Sequence, residues 1–188
     1  PSNGADAAMM LRESVRLARE EQRVVVFIEP IALYPMRDLH CAGDGAWMHS
    51  YPAPDRRIPL GEIEVTGDGT DLAIVSYANG YYLSTQSANA VKEKGIHARV
   101  IDMRWLAPLP EDALLEATKD CKNILIVDEC RRTGSQSEAL MALFHEAGRG
   151  RVARVTAEDS FIATGPAYAA TLPSADSITA AATALVAS

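Results

Sequence analysis

The sequence predicts an α/β fold in which helices cover both faces of a mostly parallel sheet. Short apolar runs alternate with amphipathic segments of helical period, and glycine or proline lies between them. The clearest run, residues 124–127, has no polar interruption and is closed by Asp128 and Glu129. Uninterrupted runs of this length are typical of parallel strands buried on both faces. We therefore expect a three-layer sandwich with the sheet in the middle.

The segment that follows this strand predicts a polar turn and a helix. Arg131 and Arg132 precede Gly134, and either Ser135 or Ser137 is suited to cap the helix. The predicted buried stripe consists of Ala139, Leu140, Leu143, Phe144 and Ala147, and Gly148 is a suitable stop.

The same alternation continues on either side of this unit. We expect strands at residues 61–65, 72–76, 98–103 and 152–156, and further helices that start near Tyr82, Pro110 and Ser174. Crossover helices make successive strands parallel. The turn Gly67-Asp68-Gly69 instead predicts a hairpin-like start, with the first strand as an antiparallel edge.

Residues 1–58 do not complete a domain of their own. A helix with Ala8, Leu11, Val15 and Ala18 on its buried face precedes a β-branched strand at residues 24–28. Residues 30–59 then lose all periodicity, which predicts an ordered linker. We expect the linker residues Trp47, Met48 and Tyr51 to pack on a neighbouring surface. Because the chain starts at Pro1 without an initiator methionine, we expect it to be part of a longer polypeptide.

Composition narrows the class of protein. The formal charge of −7 over 188 residues disfavours nucleic-acid binding, and no segment is apolar enough for a membrane span. The first residues do not resemble a secretory leader. Cys41, Cys121 and Cys130 show no C-x-x-C spacing, which favours a reduced, cytoplasmic chain without a metal site or a disulfide framework.

Polar residues that could carry chemistry collect at the predicted strand ends. These are Asp102 with Arg104, Asp128 with Glu129, and Asn79 with Gly80. Clustered carboxylates can bind a cation or transfer protons. The alternative is that they form ion pairs with arginines, for which Arg131 and Arg132 are available. The four histidines share no ligand spacing, and no phosphate-binding or nucleophile motif is present.

Four segments in a fixed order carry a resemblance to a known family. They are VFIEPIALY (26–34), IPLGEIEVTGDGTDLAIVSYANG (58–80), ARVIDMRWLAPLPEDAL (98–114) and LIVDECRRTGSQSE (125–138). They resemble the β subunit of thiamine-diphosphate-dependent 2-oxo acid dehydrogenases. The resemblance implies that residues 1–34 end a pyrimidine-binding domain. Residues 35–58 are then an interdomain linker, and residues 59–188 form a transketolase-type C-terminal domain.

The resemblance also implies a function. The chain would be part of the decarboxylating component of a pyruvate, branched-chain 2-oxo acid or acetoin dehydrogenase, and this segment would serve subunit assembly and docking to the acyltransferase core. Its partners would be an α subunit, or the other half of the enzyme, and further copies in an oligomer. Thiamine diphosphate and Mg²⁺ would be bound by the complete enzyme and not by this chain, which carries no assignable catalytic residue. The alternative is a non-catalytic transketolase-type C-domain used as an interaction module.

Two sites follow from the resemblance. Glu29 ends the strand at residues 24–28 and would lie at the rim of the cofactor cleft, either near the cofactor or in an ion pair. Some relatives hold K⁺ with backbone carbonyls, which align with Ala18, Arg19, Glu21 and Arg23. A plain surface loop is the alternative for those four residues.

Overall fold

A computed structural model describes all residues from Pro1 to Ser188. Its sheet has five strands in the order β1-β3-β2-β4-β5. Their bounds are β1 Glu64–Thr66, β2 Leu72–Ser76, β3 Ala98–Asp102, β4 Asn123–Arg131 and β5 Arg151–Ala157. Strands β2 to β5 pair in parallel and β1 pairs antiparallel with β3, which confirms a mostly parallel sheet with one antiparallel edge.

The predicted hairpin between the first two strands is wrong, because β3 lies between β1 and β2. Val65 of β1 is opposite Ile101 of β3. The connection from β1 to β2 passes directly over the start of β3, where a Cβ on Gly69 would lie 2.3 Å from the carbonyl carbon of His97. The glycine therefore permits a close backbone crossing instead of a tight hairpin.

Five α-helices surround the sheet. They are α1 Gly4–Glu20, α2 Ala78–Lys92, α3 Glu111–Thr118, α4 Gln136–Glu146 and α5 Ala175–Ala187, with short 3₁₀ helices at Ile31–Leu33 and Gly165–Ala170. None of these helices has the length and apolar character needed to cross a bilayer.

Alternate side chains of the central strands build the two cores. Ile74 of β2 and Leu125 of β4 face α2 and α5, where Ile178 is buried with them. Val75 and Ile126 face the opposite way, toward α3 and α4. All five side chains are fully buried, so the predicted three-layer sandwich is confirmed.

Helix α4 follows the prediction in part. Leu140 and Phe144 are buried, but Ala139 and Ala147 are exposed because the buried face is rotated toward Ser137. The cap also differs. Ser135 occupies the N-cap position without bonding the helix backbone, and Asp128 accepts the Ser137 amide over 2.8 Å instead.

Helix α1 buries a different face from the one predicted. Its buried residues are Asp6, Met10, Glu13, Ser14 and Leu17. The predicted face is turned to solvent, where Leu11 and Val15 are half exposed and Ala18 is exposed. Met10 and Leu17 are inside because they pack with Ile58 and Trp105, which lie far from α1 in the sequence.

The strand predicted at residues 24–28 is absent. The segment is extended, and Val25 and Phe27 pack beside the core of α1, but none of its backbone groups has a hydrogen-bond partner in the chain. A strand needs a neighbour in the hydrogen-bonding direction, and no other strand reaches this part of the molecule.

Residues 35–58 contain no helix or strand, and their side chains hold the backbone in place. The Asp44 carboxylate accepts bonds from the amides of Leu39, His40, Cys41 and Ala46, which lower its pKa. Trp47 packs on Tyr81 and Tyr82 of α2, as expected. Met48 is exposed, so its part of the packing prediction is wrong, whereas the Tyr51 ring, although 80% exposed, has the Arg12 guanidinium of α1 5.4 Å from its centroid.

Candidate functional site

A cleft of about 590 Å³ lies where the carboxyl ends of β2, β3 and β4 meet the N-terminal region. Tyr77 and Ala78 follow β2, Trp105 follows β3 closely, and Glu129 and Cys130 belong to the end of β4. Helix α1 and the extended residues 23–28 form the opposite wall.

This position is the topological switch point of the sheet. From β2 the chain moves outward to β3, and it then returns past β2 to β4 and β5. The loops after β2 and β4 therefore diverge and leave a crevice at their carboxyl ends. Open α/β sheets bind their ligands in this crevice.

At the end of β3, the Asp102 carboxyl is almost completely buried, with 1% of the residue exposed. Its Oδ1 accepts the Arg104 amide over 3.0 Å, whereas Oδ2 has no hydrogen-bond partner. The Ser2 hydroxyl lies beside this carboxylate without meeting hydrogen-bond geometry. Burial raises the pKa of Asp102 to about 6, so the group is costly to ionise in the folded protein.

Arg104 joins the sheet to the N-terminal helix. Its guanidinium contacts both oxygens of Asp6 in α1, at 2.7 and 3.1 Å, and also pairs with Glu64 of β1. Both side chains of the Arg104–Asp6 pair are about 6% exposed. A bidentate buried pair of this kind fixes the position of α1 over the end of β3.

The ends of β2 and β4 are tied together by a second set of bonds. The Tyr77 hydroxyl donates to Asp128 over 2.6 Å, and burial together with this carboxylate raises the pKa of Tyr77. Asp128 also accepts the amides of Cys130 and Ser137, so both its oxygens are used within the fold. Asn79 donates to Glu129, while burial raises the pKa of Glu129.

The remaining wall is mostly apolar, and its other polar groups belong to Pro1, Arg23, Cys130 and Trp105. Trp105 is buried, and its Nε1–H has no hydrogen-bond partner. Two residues at the mouth, Ala78 and Arg104, have positive φ values of 48° and 58°. Backbone strain of this kind is concentrated at functional sites in proteins.

Most of the polar residues that the sequence analysis placed at strand ends lie at this one edge of the sheet. Their hydrogen-bond and ion-pair partners differ from those expected. Arg131 and Arg132 are exposed and form no ion pair with the acids of β4, so that expectation is wrong. Asp128 is bound by Tyr77 instead. No local pattern points to Asp6, whereas Tyr77 and Trp105 could have been found because each follows a strand end.

The two sites implied by the resemblance lie outside this cluster. Glu29 is exposed and accepts a hydrogen bond from the Tyr34 hydroxyl. Ala18 and Arg19 lie in the last turn of α1. The Arg19 carbonyl accepts a hydrogen bond from the Gln22 side chain over 2.8 Å, and Arg23 pairs with Glu21. The roles suggested for these residues stay predictions.

Curated proteins similar to this chain include subunits of 2-oxo acid dehydrogenases. The chain is 28% identical over 146 residues to the 2-oxoisovalerate dehydrogenase subunit beta of Bacillus subtilis, which covers 78% of this chain and 40% of that protein. It is 25% identical over 177 residues to the pyruvate dehydrogenase E1 component subunit beta of the same organism, covering 92% and 50%. The match to 1-deoxy-D-xylulose-5-phosphate synthase of Halothermothrix orenii is 31% over 111 residues, covering 58% and 18%. The chain thus spans half or less of these relatives, and its resemblance to the dehydrogenase β subunits is confirmed.

Among solved structures, the chain is similar to a split gene transketolase described as an inactive beta4 tetramer. The TM-score is 0.64 with 24% identity, covering 72% of this chain and 44% of that one. A likeness at this identity supports the fold. The model of the family described as transketolase, C-terminal domain, matches residues 61–178, from just before β1 into α5. This chain therefore belongs to the transketolase C-terminal domain family.

Proposed function

We propose that this chain is the C-terminal part of the decarboxylating component of a thiamine-diphosphate-dependent 2-oxo acid dehydrogenase, an oxidoreductase of the pyruvate, branched-chain or acetoin type. Its role in that enzyme is subunit assembly. The dehydrogenase β subunits among its relatives support the class, and the features of the N-terminal region support the role.

The observation that carries the assembly role is the unpaired extended segment. Val24, Val26 and Ile28 are 96%, 81% and 65% exposed, and the backbone of residues 24–29 has no hydrogen-bond partner. An extended apolar segment with both edges open is a template for pairing with strands. We propose that residues 1–34 complete a pyrimidine-binding domain, that residues 35–58 are a linker, and that residues 59–188 are the transketolase-type domain.

The proposed partners are an α subunit or the other half of the enzyme, further copies of this chain, and the acyltransferase core. The half-exposed Leu11 and Val15 on α1 extend the apolar surface beside the extended segment. Large exposed apolar patches mark interaction sites. The three cysteines are free thiols, which is consistent with the proposed cytoplasmic location.

The residues of this chain do not fit the diphosphate of the cofactor. The cleft presents Asp102 and Glu129, and the guanidinium of Arg104 is already bonded to acids. These carboxylates repel a diphosphate. In our proposal the complete enzyme supplies the sites for thiamine diphosphate and Mg²⁺. Glu29 then lies at the rim of the cofactor cleft, and any K⁺ site uses the carbonyls of Ala18, Arg19, Glu21 and Arg23.

Light scattering of the chain at micromolar concentration tests the assembly role. We expect a self-associated species, and we expect Val26→Glu to shift it toward the monomer because the charge lies on the proposed contact surface. Met48→Glu is the matched control, since Met48 is 63% exposed but belongs neither to the extended segment nor to α1. A monodisperse monomer with low dye binding would contradict the proposal.

Titration calorimetry with thiamine diphosphate and Mg²⁺ tests the cofactor assignment separately. We expect no saturable binding, since each missing charge-assisted contact is worth about 1.5–3 kcal/mol. Saturable binding in the low micromolar range would mean that the chain holds a complete cofactor site. Association without any enzymatic role for the complete protein would favour the interaction-module alternative.

A further inference from the structure

We propose that the turn after β4 binds an acidic segment of another polypeptide. The binding groups are three arginines, namely Arg131 at the end of β4, Arg132 in the turn and Arg154 on the neighbouring strand β5. We call these residues the arginine surface. None of them lines the cleft, so the arginine surface is separate from the segment assigned above to strand pairing, and the inference does not depend on the proposed function.

The three guanidinium groups have no acidic partner in the chain. Arg131 and Arg132 are exposed, Arg154 is half-buried, and none of the three takes part in an ion pair. Acidic residues are not scarce, since the 25 aspartates and glutamates outnumber the 18 lysines and arginines. Unpaired arginines at one place on an acidic protein form a local positive field, which attracts carboxylates.

Contacts between β4 and β5 hold the three side chains near one another. Nη1 of Arg154 donates to the Arg132 carbonyl over 3.1 Å, and Arg131 is the last residue of β4 to pair with β5. Asp159 lies in the loop after β5. Hydrogen bonds from Thr133 lower the pKa of Asp159, and the charges of Arg131 and Arg132 contribute to the same shift. This carboxylate balances one of the three guanidinium groups and leaves two for a partner.

The turn that carries the arginine surface is held in place within the chain. Asp159 accepts hydrogen bonds from the amide and the hydroxyl of Thr133, over 2.9 and 2.6 Å. The Gln136 side chain donates to the carbonyl of Leu106 over 2.8 Å. Binding to a fixed backbone costs less ordering entropy than binding to a mobile loop. The cost of binding therefore falls mainly on the arginine side chains and on the partner.

An exposed aromatic residue lies beside the arginine surface. Phe161 is fully exposed, and every residue from 158 to 170 is exposed with it. Because two residues span at most about 7 Å, the backbone of Phe161 lies within that distance of Asp159. Arginine and aromatic side chains are enriched among the residues that contribute most to binding. A segment with several carboxylates and one apolar side chain matches both features.

The charge of the whole chain favours an acidic polypeptide over a nucleic acid as the partner. A nucleic acid carries phosphates along its whole length, so it would extend beyond three arginines onto a protein with a formal charge of −7. A short cluster of carboxylates requires only the local surface. The planar guanidinium group also matches a carboxylate, because it donates two parallel hydrogen bonds to the two oxygens.

Two short peptides that carry the same neutral dye form a matched pair of probes. The acidic peptide contains several glutamates and one leucine, and the neutral peptide has glutamine in place of each glutamate. Fluorescence anisotropy measures their binding to the full chain. We expect saturable binding of the acidic peptide at about 20 mM salt, and weaker binding at about 200 mM because salt screens the charges. The neutral peptide should bind at least about threefold more weakly at the lower salt concentration.

Variants then assign the contact. The double variant Arg131→Gln with Arg132→Gln should weaken the acidic peptide at least about threefold. The matched control is Arg56→Gln with Arg57→Gln, which makes the same change of charge at an exposed pair in the linker and should leave the affinity unchanged. Lysines at residues 131 and 132 retain the charge without the paired donors, so their loss of affinity should be smaller than that of the glutamines. Phe161→Ser should weaken both peptides by the same factor, because both carry the leucine.

Four outcomes would overturn the proposal. The first two are the absence of saturable binding of the acidic peptide and equal affinity for the two peptides. The third is an equal effect of the two glutamine double variants, each with a native circular dichroism spectrum. The replaced side chains at residues 131 and 132 are exposed and unpaired, so we expect that spectrum to be retained. The fourth is tighter binding of a DNA duplex than of the acidic peptide, which would identify a phosphate site instead.

Discussion

Two apolar runs of nearly the same composition have opposite surroundings in this protein. Residues 24–28 read Val-Val-Val-Phe-Ile, and residues 124–127 read Ile-Leu-Ile-Val. The second run lies in β4 between β2 and β5 and is at most 1% exposed. The first has no neighbouring strand, and its outward side chains are 65–96% exposed. An apolar composition therefore indicates that a segment favours burial, but the neighbouring strands determine whether the segment is buried.

The same contrast separates the helices that pack beside the two runs. Helix α4 buries Leu140 and Phe144 against a complete sheet. Helix α1 packs instead on Ile58, Trp105 and one extended segment, and it is held over the sheet edge by the Asp6–Arg104 pair. The sheet buries its central strands between helices on both faces, whereas the extended segment at residues 24–28 leaves its outward side chains exposed.

The largest expected difference comes from one substitution made in both helices. Leu140→Ala should lower the free energy of unfolding by about 2–5 kcal/mol, because a fully buried side chain leaves a cavity. Leu11→Ala, at a position 50% exposed, should change it by less than about 1 kcal/mol. Denaturant melts of the two variants measure the difference. Equal costs would mean that α1 has a buried leucine face or that the α4 stripe is wrong.

The junction between the two regions gives the second prediction. Burial raises the pKa of Asp102 to about 6, so the folded state binds this proton more tightly than the unfolded state does. The contribution of Asp102 to the free energy of unfolding therefore falls as the pH rises from the ordinary carboxyl range to about 6. At neutral pH the ionised carboxylate is unfavourable in the folded protein. Asp102→Asn should stabilise the fold at pH 7 by about 1–3 kcal/mol, and this gain should disappear near pH 4.

Asp128→Asn is the matched comparison for this prediction. Asp128 is as buried as Asp102 but receives hydrogen bonds from Tyr77, Cys130 and Ser137. Its replacement should cost about 1–3 kcal/mol, since bonds to a charged acceptor are lost. Melts at pH 4 and pH 7 distinguish the two residues. Destabilisation of both variants at pH 7 would show that the Asp102 carboxylate has hydrogen-bond partners in solution.

Most of the sheet domain could be predicted from the sequence because its signals are local. Residues within a short window indicate the apolar run of β4, the stop at Gly148 and the helix start near Ser174. The position of β3 between β1 and β2 could not be predicted, since it depends on a backbone crossing at Gly69 that leaves no periodic signal.

The cleft could be predicted only in outline. The polar residues at the strand ends could be recognised in the sequence, but their partners come from distant parts of the chain. Arg104 pairs with Asp6, and Asp128 accepts a hydrogen bond from Tyr77. The buried face of α1 was misassigned for the same reason. Its apolar stripe is real but faces away from the sheet, and polar contacts to Arg104 determine which face is inside.

A smaller effect is expected at the turn after β4. Gly134 has φ of 72°, and a Cβ there would meet no atom within 4 Å, so backbone strain is the only cost of a larger residue. Gly134→Val should destabilise the domain by about 1–2 kcal/mol. Gly134→Asn should cost less, because asparagine tolerates the left-handed region. Thermal melts compare the two, and equal stability of the valine variant and the wild type would contradict the strained turn.

The last prediction concerns amide hydrogen exchange. It involves the smallest effect in free energy, but it tests the contrast between the two runs most directly. The amides of residues 124–127 bond to β2 and β5, and their exchange with solvent deuterium should require opening of the sheet domain. The amides of residues 24–28 have no partner, so we expect exchange within the shortest labelling time at low protein concentration. Raising the concentration should slow exchange only in the N-terminal run, because pairing with another copy would supply the missing strand. Exchange measured by mass spectrometry at two concentrations tests this. Protection of residues 24–28 that does not depend on concentration would show that the segment pairs within its own chain.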